Sequence, residues 1–512
     1  MKTRNALHTI GNKVLLAALL SIPTLSGAQE SSDTPTLDQL DQKIRILERK
    51  LEVQDEVTAN KTPAPTISVG QDGFTLKSAD ENFVMKWRGL LQADYRGFVN
   101  DTNYSDVRKY KNDSVYVENN YLRQNPKLVN TFLLRRIRPV WDVTLYKYYN
   151  LRITPDFGGG TFVLLDAYGE VNFWPEFKVR IGKFTPPIGL ERLQASSDNN
   201  FVEYNFPAAL SPSRDVGVQI SGDLLGESVN YAVGYFNGAE DGASKDNDLT
   251  DHKDFTGRLF LQPFKSLSID WLSNLGLGTS GSWGAFWGDS TISNLPSIKS
   301  AGQNTIFSYR QNKVPTSGVP LNGVATIVDS LTVRTVGAHY RVNPQGYWYA
   351  GPFSLFGEYI LSSQKVARSK PIRDTIAANK TYIVRNPTTL VNAAWGLSAS
   401  WVVTGDPTSF KGVKPRHPFS PSFSDIGAIE LVARAGQFTP DKKTFPLYAD
   451  TLASVRKATS YGGGVNWYLS RQVKWVLDYD FTKFQQGAKD WSGKVKNRDK
   501  EQVITTRLQL NF

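Results

Sequence analysis

Arginine recurs at alternate positions in the segment from 132 to 157, which reads FLLRRIRPVWDVTLYKYYNLRITPDF. Arg136, Arg138 and Arg152 share one parity with Asp142, whereas bulky residues such as Trp141 occupy the other. Because successive side chains of a strand point to opposite faces, this spacing predicts a β-strand with one cationic and one apolar face. A single exposed guanidinium attracts an anion by only about 1 kcal/mol at contact, so several must act together to steer anions.

The same period of two continues over most of the chain, for example in residues 83–99, 162–173, 177–184, 473–481 and 504–512. No run of 18 or more uncharged apolar residues follows the first thirty positions, which excludes transmembrane helices as the main architecture. An arginine facing mid-bilayer lipid costs about 2–4 kcal/mol, so the cationic parity must face water. We therefore predict an all-β fold, a transmembrane antiparallel β-barrel of about 16 to 18 strands, in which alternate side chains meet lipid and an aqueous interior.

The connections between these segments are of two kinds. Tight ones, such as those at Lys147 and Ser470, contrast with long polar ones such as 100–130, 238–254 and 290–330. Short turns on one side and long loops on the other are typical of an outer-membrane barrel. A soluble β-sandwich or propeller shares the period of two. The barrel is favoured because the strands are long, aromatic residues stand near strand ends on the apolar parity, and the last residue is an apolar-parity phenylalanine.

The N-terminus has the features of an export signal. Basic residues precede an apolar run at 14–20, and small residues follow at 26–28, which predicts a signal peptide at 1–28 that is cleaved. We assign 29–66 to a periplasmic helix with a proline-containing linker, and 67–512 to the barrel. The net charge of +11 can serve anionic partners, and export makes nucleic acid an unsuitable one.

A short helical repeat precedes the barrel. Apolar residues follow a 3–4 spacing with charged residues between them, at Leu37, Leu40, Ile44, Leu47 and Leu51. Two interpretations remain open: a self-associating coiled coil, which needs other contacts to hold the chains together because it is short, or a surface helix docked on its own chain.

Catalytic chemistry has little support in this sequence. Cysteine is absent, and His252, His339 and His417 lack metal-ligand spacing. Asp166 and Glu170 stand on one strand parity, where carboxylates commonly pair with arginines. We therefore predict no enzyme activity, no metal and no cofactor, although a serine-dependent barrel hydrolase remains an alternative.

Basic residues of the polar parity are the stronger signal. They are Lys86, Arg88, Arg96, Arg136, Arg138, Arg152, Arg180, Arg258 and Arg507. Arrayed along a narrow wall of low dielectric constant, they would raise the local anion concentration. The alternative for each is a structural pairing with Asp94, Asp142, Asp156, Asp166 or Glu170 on neighbouring strands.

Several motifs resemble those of the phosphate-selective porin O and P family. They are RRIR at 135, LRITPDF at 151, DAYGEV at 166, RIGKFTPPIGLERLQASS at 180, SRDVGVQISG at 213 and YAVGYFNGAED at 231. The resemblance implies a 16-stranded, trimeric outer-membrane channel whose third external loop, here about 185–212, folds into the lumen. It also implies anion-binding roles for Arg135, Arg136, Asp166, Ser196 and Ser197.

The sequence departs from that pattern at two positions. Leu193, with Arg192 beside it, stands where phosphate-binding members carry a lysine, and Tyr204 stands where many relatives carry an arginine. An anion site that loses two cations binds more weakly and less selectively. Porin architecture is therefore expected more firmly than phosphate specificity.

Together these observations predict an outer-membrane porin of a Gram-negative-type envelope that admits small anions, with phosphate and polyphosphate as candidates. The alternatives are a general-diffusion porin whose charges only pair, and an extracellular β-sandwich adhesin or binding module. The expected partners are small anions, outer-membrane lipid and two further copies in a homotrimer. The candidate pore-lining residues are Arg88, Arg96, Arg135, Arg136, Arg138, Arg152, Asp166, Arg180, Arg192, Ser196, Ser197 and Arg258.

Overall fold

The structure is a computed structural model whose chain divides into two compact units between Ala64 and Pro65. It describes residues 37–59, 64–70, 73–99, 108–111, 114–117, 128–247, 251–267, 269–288, 293–311, 332–371, 382–489 and 494–512. The predicted signal peptide at 1–28 and part of the predicted linker lie outside the described residues. The two units are described separately.

The first unit contributes one helix, α1, which spans Leu37–Ala59. This confirms the helix that the apolar spacing predicts. Two residues four positions apart form an exposed ion pair, with Arg45 Nε 3.0 Å from Asp41 Oδ2, which helps to stabilise α1. The apolar stripe that includes Leu47 is exposed, and its partner in a coiled coil remains a prediction. Within the described ranges, none of the helices combines the length and hydropathy needed to cross a membrane.

The described residues of the second unit form 23 strands, of which sixteen make a closed barrel. The barrel strands are β3 (Phe83–Phe98), β6 (Thr131–Leu145), β7 (Tyr149–Asp156), β8 (Val163–Trp174), β9 (Phe177–Phe184), β10 (Asp215–Leu224), β11 (Val229–Phe236), β12 (Asp254–Leu261), β13 (Leu275–Trp287), β16 (Val333–Ala350), β17 (Phe353–Pro371), β18 (Tyr382–Val402), β19 (Ala428–Thr439), β20 (Val455–Tyr468), β21 (Val473–Lys489) and β23 (Glu501–Asn511). The others are β1 (Thr66–Gly70), β2 (Gly73–Lys77), β4 (Arg108–Lys111), β5 (Ser114–Val117), β14 (Ser297–Lys299), β15 (Thr305–Ser308) and β22 (Val495–Asn497).

Neighbouring barrel strands pair antiparallel, and the last strand closes the sheet on the first. In that closing pair, Leu510 of β23 is opposite Leu91 of β3, and Arg507 is opposite Asp94. The predicted barrel of about 16 strands is thus confirmed. The barrel strands form one closed sheet, whereas a β-sandwich consists of two facing sheets. The β-sandwich alternative is therefore wrong.

Inward and outward side chains alternate as the sequence predicts. On β3 the Trp87 side chain is 44% exposed on the outer face, whereas Asp94 is 3% exposed on the inner face. On β23, Leu508 is 48% exposed and Arg507 is 2% exposed. The apolar parity therefore forms the outer surface, and the charged parity faces the interior.

The barrel has a short-turn end and a long-loop end. Turns of two to four residues, such as 175–176 and 225–228, connect strands at the first end, and the connections 99–130 and 185–214 lie at the second. An exception is the connection between β18 and β19, residues 403–427, which is long although it lies at the short-turn end. There Phe410 accepts a hydrogen bond of 2.9 Å from Gln194 Nε2, which belongs to the 185–214 loop.

An apolar core fills part of the interior, which differs from the predicted aqueous lumen. Inward-facing residues of β17 to β21 contribute to it, including Ile360, Leu390, Phe438 and Phe484, each of which is buried. Loops that enter the barrel cover these residues, so the same parity that faces water on strands β3 and β6 to β10 faces packed hydrocarbon here. The same strands also carry inward charged residues outside this core, such as Asp478.

Candidate functional site

The loop between β9 and β10, residues 185–214, crosses the barrel interior and is called the lumen loop here. It contains two single-turn helices, α2 at Leu190–Leu193 and α3 at Phe206–Ala209. Asn205 caps α3, because its side-chain oxygen accepts a hydrogen bond of 2.8 Å from the Phe206 amide. The loop corresponds closely to the segment 185–212 predicted to enter the lumen.

Side chains of the core-bearing wall hold one side of the lumen loop. Asp478 of β21 accepts a 2.7 Å hydrogen bond from the amide of Val202. Lys474 donates from Nζ to the carbonyl oxygen of Asn199 over 2.9 Å. These inward charges satisfy backbone groups of the loop, which would otherwise be buried without partners.

On the opposite side, Glu203 joins the lumen loop to two arginines. It accepts from Arg96 Nη2 at 3.1 Å, and from Nε and Nη2 of Arg135 at 3.0 and 3.1 Å. Burial opposes ionisation of Glu203, but the charge of Arg135 and its hydrogen bonds prevail and hold the Glu203 pKa at about 2. Glu203 is therefore ionised at neutral pH and serves as an anchor of the loop.

Arg135 reaches the interior because of a β-bulge. Gln92 of β3 is opposite Arg136, but the next residue, Ala93, is opposite Leu134, so Arg135 is an extra residue in the ladder. Arg135 and Arg136 therefore both line the interior although they are adjacent in sequence. Strict alternation would have placed Arg135 among the outward residues.

Three adjacent cavities lie in the barrel interior, and residues of the lumen loop line two of them. The outer cavity, of about 580 Å³, faces the long-loop end, and a middle cavity of about 350 Å³ follows it. An inner cavity of about 560 Å³ lies at the short-turn end. Among the described residues, eleven cationic side chains and five carboxylates line the three cavities together. The lining of these cavities carries an excess of positive charge.

Five residues line both the outer and the middle cavity and are called the shared ring here. They are Arg138, Arg192, Ser196, Tyr204 and Arg214. Four of them belong to the lumen loop, and Arg138 belongs to β6. Arg138 Nη1 donates to Ser196 Oγ over 2.9 Å, which joins the wall to the loop at the ring.

Carboxylates pair with most arginines along these cavities. In the inner cavity, Asp142 accepts from both Arg88 and Arg152, the latter over 2.6 Å. Glu170 accepts from Arg180 Nη2 at 2.6 Å. These contacts match the structural pairings that the sequence left as an alternative, and they hold the guanidinium groups in fixed orientations.

At the shared ring, the carboxylate pairs are fewer than the arginines. Asp156 accepts from Arg138 Nε and Asp166 from Arg214 Nε, each over 2.7 Å. Arg192 donates instead to the carbonyl oxygen of Ala208 over 2.5 Å. Among the described contacts it has no carboxylate partner.

Arg136 lies beside the shared ring and, like Arg192, has no carboxylate partner among the described contacts. Its Nη1 donates to Gln92 Oε1 over 2.6 Å, and its side chain is buried. The Nε atoms of Arg136 and Arg192 are both buried with no hydrogen-bond partner in the described part of the chain. Two guanidinium groups with spare donor capacity therefore line the outer cavity.

Tyr204 lies against both of these guanidinium groups. The ring centre is 4.9 Å from the Arg192 guanidinium carbon and 5.8 Å from that of Arg136, and the hydroxyl is 3.4 Å from Ser196 Oγ. Burial favours the neutral phenol, but Arg136, Arg192 and the Ser196 hydrogen bond outweigh it and lower the Tyr204 pKa from 10 to about 7. Tyr204 thus titrates near neutral pH.

A hairpin of β14 and β15 crosses the interior on the long-loop side of the outer cavity. Ile298 and Phe307 pack into the apolar core. At the hairpin tip, Glu501 of β23 accepts from the Gly302 amide at 3.0 Å and from Asn304 Nδ2 at 2.7 Å. The hairpin also contributes Lys299 to the cavity lining.

The site offers hydrogen-bond donors and positive charge instead of a metal centre. No cluster of metal-ligating side chains occurs in the residues that the structure describes. Its main features are the cationic lining of the three cavities and the loop that crosses the barrel interior.

The sequence model of the family described as phosphate-selective porin O and P matches residues 86–291 and 323–512. The chain belongs to this family. It is an outer-membrane porin, with the short-turn end of its barrel periplasmic and the long-loop end extracellular. No curated protein sequence matches it significantly.

Solved barrels are similar to this porin over most of its length. OmpT of Vibrio cholerae has a TM-score of 0.47 and 11% identity, covering 86% of this chain and 100% of that one. The outer membrane channel DcaP of Acinetobacter baumannii has a TM-score of 0.46 and 10% identity, covering 85% and 99%. An anion-selective porin from Comamonas acidovorans has a TM-score of 0.44 and 10% identity, covering 84% and 100%.

The porin brings ten of the twelve predicted site residues to the three cavities. These are Arg88, Arg135, Arg136, Arg138, Arg152, Asp166, Arg180, Arg192, Ser196 and Ser197. The other two lie elsewhere: Arg96 is paired with Glu203, and Arg258 donates to Asn230 Oδ1 over 2.7 Å beside the Phe260 ring. Lys86 also lines the inner cavity, and Arg507 is paired with Asp94.

Sequence reasoning missed three cations of the porin path, namely Arg214, Lys299 and Arg434. Arg434 follows the inward parity of β19, so the alternation used for other strands would have found it. Arg214 precedes β10 on the parity of the outward residue Val218, and only its place in the lumen loop turns it inward. Lys299 lies on a hairpin inside the barrel, and the alternation of the barrel strands does not predict its position.

Proposed function

We propose that this porin lets small anions diffuse passively through the three adjacent cavities. The observation that supports it is the pair Arg136 and Arg192, two guanidinium groups that lack a carboxylate partner among the described residues. A buried cation without a counter-charge leaves a positive potential at the point where the lumen loop approaches the wall. Conduction also requires weak attraction at several positions, as the flanking arginines would provide.

The alternative is a general-diffusion porin whose charges serve only to pair with one another. The pairs of Arg88 and Arg152 with Asp142, and of Arg180 with Glu170, favour that view for the inner cavity. The excess of eleven cations over five carboxylates favours anion preference for the whole path. The two possibilities differ in what they predict for ion selectivity.

A reversal potential separates these alternatives. The purified porin is inserted in a planar bilayer, and the zero-current voltage is measured across a tenfold gradient of KCl. We expect a voltage of the sign that anion permeation gives. A voltage near zero, or of the opposite sign, would remove the proposal and leave general diffusion.

We include phosphate among the permeant anions because the family is described as phosphate-selective, and polyphosphate is a larger candidate. Arg136, Arg138 and Ser196 would donate to its oxygens. Tyr204 already occupies part of the space between Arg136 and Arg192, so we propose modest affinity for phosphate. Titration of phosphate against a chloride current tests this, and half-block at micromolar phosphate would contradict it.

The proposal includes several features of the whole protein. We propose cleavage of residues 1–28, a periplasmic segment 29–66 whose helix forms a coiled coil, a barrel from 67 to 512, and assembly as a homotrimer in the outer membrane. No catalytic step is part of it. N-terminal sequencing of the mature protein tests the cleavage, and native mass spectrometry in detergent tests the number of chains.

A further inference from the structure

The outer cavity has walls of two chemical kinds. Arginines such as Arg136, Arg138 and Arg214 line it on the side of β6 and the end of the lumen loop. Ala209 of α3 and Leu295, before the β14–β15 hairpin, also line it, and both pack against the apolar core. A cationic surface and an apolar surface therefore border the same space.

This apolar surface is wider than one side chain. Phe206 and Pro296 line the cavity as well as Ala209 and Leu295, and Ala301 extends the surface toward β3. Phe206 belongs to the packed core, and Ala301 packs with Phe98. By contrast, most of the residues that line the inner cavity are charged or polar. The apolar wall is thus a local feature of the extracellular side.

The size of the outer cavity suits more than an inorganic ion. Its volume of about 580 Å³ lies within the range of pockets that hold small organic ligands, roughly 300–1,000 Å³. Such pockets combine apolar walls with a few polar groups that fix the orientation of the ligand. A phosphate ion here would use the arginines and leave the apolar wall in contact with water.

We propose that the outer cavity favours organic monocarboxylates, with the carboxylate on the arginines and the hydrocarbon part against the wall formed by Phe206, Ala209 and Leu295. This inference rests on the proposed function, because it assumes that anions pass the cavity. Arginine suits a planar carboxylate because its donors form a fork. Each methylene group that fully leaves water favours occupancy by about four-fold.

Two potassium salts of equal charge and equal carbon number provide the test. Hexanoate and gluconate are both six-carbon monocarboxylates, and gluconate carries five hydroxyl groups that cannot use an apolar wall. Single-channel reversal potentials of the full-length porin at pH 7.5 give the permeability of each relative to chloride. We expect hexanoate to exceed gluconate by about ten-fold, and to slow chloride current at concentrations where gluconate does not.

The variant Leu295→Ser removes part of the wall without touching an arginine. We expect the ratio of hexanoate to gluconate permeability to fall by about three-fold. The matched control is Leu225→Ser, which makes the same change at an exposed turn away from the cavities. Should Leu295→Ser not fold, as judged by heat-modifiable migration on gels, Pro296→Ser alters the same wall.

The outcomes separate the two proposals. Anion preference in KCl with equal ratios in wild type and the wall variant would overturn the organic-anion inference and leave the proposed function standing. Loss of anion preference in KCl would overturn the proposed function itself. A ratio that falls equally in Leu225→Ser would also contradict the inference, since that residue lies far from the cavity wall.

Discussion

The Arg192 guanidinium lies 4.9 Å from the centre of the Tyr204 ring, inside the loop that narrows this porin. The Arg136 guanidinium carbon lies 5.8 Å from the centre of the same ring. The Tyr204 side chain thus occupies a position at which both guanidinium groups would attract a passing anion. Tyr204 is therefore a side-chain partner of both guanidinium groups, and its charge depends on pH.

Anion preference should fall as pH rises through about 7. The Tyr204 pKa lies near 7, so the side chain is neutral below that value and becomes a phenolate above it, which cancels one positive charge. We expect the anion-to-cation permeability ratio to be about three-fold larger at pH 6 than at pH 8, and Tyr204→Phe to abolish the difference. Reversal potentials in a KCl gradient measure it.

Glu191 provides the control for this pH dependence, because burial raises its pKa to about 7 as well. Its charge would change in the same interval although it lies at α2, where its carboxylate accepts from the amide of Asn205. We expect Glu191→Gln to retain the pH dependence. If that variant flattens it and Tyr204→Phe does not, the assignment to Tyr204 is wrong.

Removal of Arg136 should reduce anion preference more than removal of a distant inward arginine. Contact attraction in water is about 1 kcal/mol, which is a lower bound for a buried charge, so we expect Arg136→Gln to lower the anion-to-cation permeability ratio by at least about five-fold. Arg258→Gln is the matched control, since Arg258 is inward but does not line the three cavities. Equal ratios in the two variants would assign Arg136 a purely structural role.

A methyl group at Gly436 should displace the lumen loop. A Cβ built there would lie 2.0 Å from Asn205 Oδ1, whereas at Gly463 the nearest atom would be the Val432 carbonyl oxygen at 3.7 Å. We expect Gly436→Ala to change single-channel conductance and to cost about 1–3 kcal/mol of stability, and Gly463→Ala to leave conductance unchanged. Identical conductance in both variants would show that Asn205 moves without moving the loop.

The β14–β15 hairpin should loosen when its anchor is removed. Glu501 accepts from the Gly302 amide and from Asn304, so Glu501→Ala leaves the hairpin tip without these bonds. We expect noisier open-channel current and faster entry of sugars larger than the wild-type limit, measured by liposome swelling. Gln502→Ala, whose side chain bonds Tyr479 on the outer face, is the control.

Alternation in the sequence was enough to predict most of the barrel wall. Residues such as Trp87 and Asp94 follow it because a strand has only two faces, and lipid and water select between them. The lumen loop and its paired serines came from resemblance to the family. Period alone could not have found them, since a loop inside a barrel has no repeat.

The remaining features depend on the local backbone and on contacts distant in sequence. Arg135 lies inside because a bulge interrupts the ladder at Gln92 and Ala93, and a bulge leaves no clear mark in the sequence. Phe438 and Leu390 are inward but dry, because loops from elsewhere in the chain cover them. A prediction that equates the inward face with water misses this packed region.

Packing on both faces of the wall from β17 to β21 has a consequence for how such a protein changes over generations. The outer face of those strands meets lipid, and part of their inner face packs into the apolar core, so a charge introduced among the core residues would destabilise the fold. Inward residues of β6 to β9 line the three cavities, where a substitution removes no contact of that core. Substitutions at a few cavity-lining positions can therefore change which ions pass, while the packed strands β17 to β21 maintain the fold.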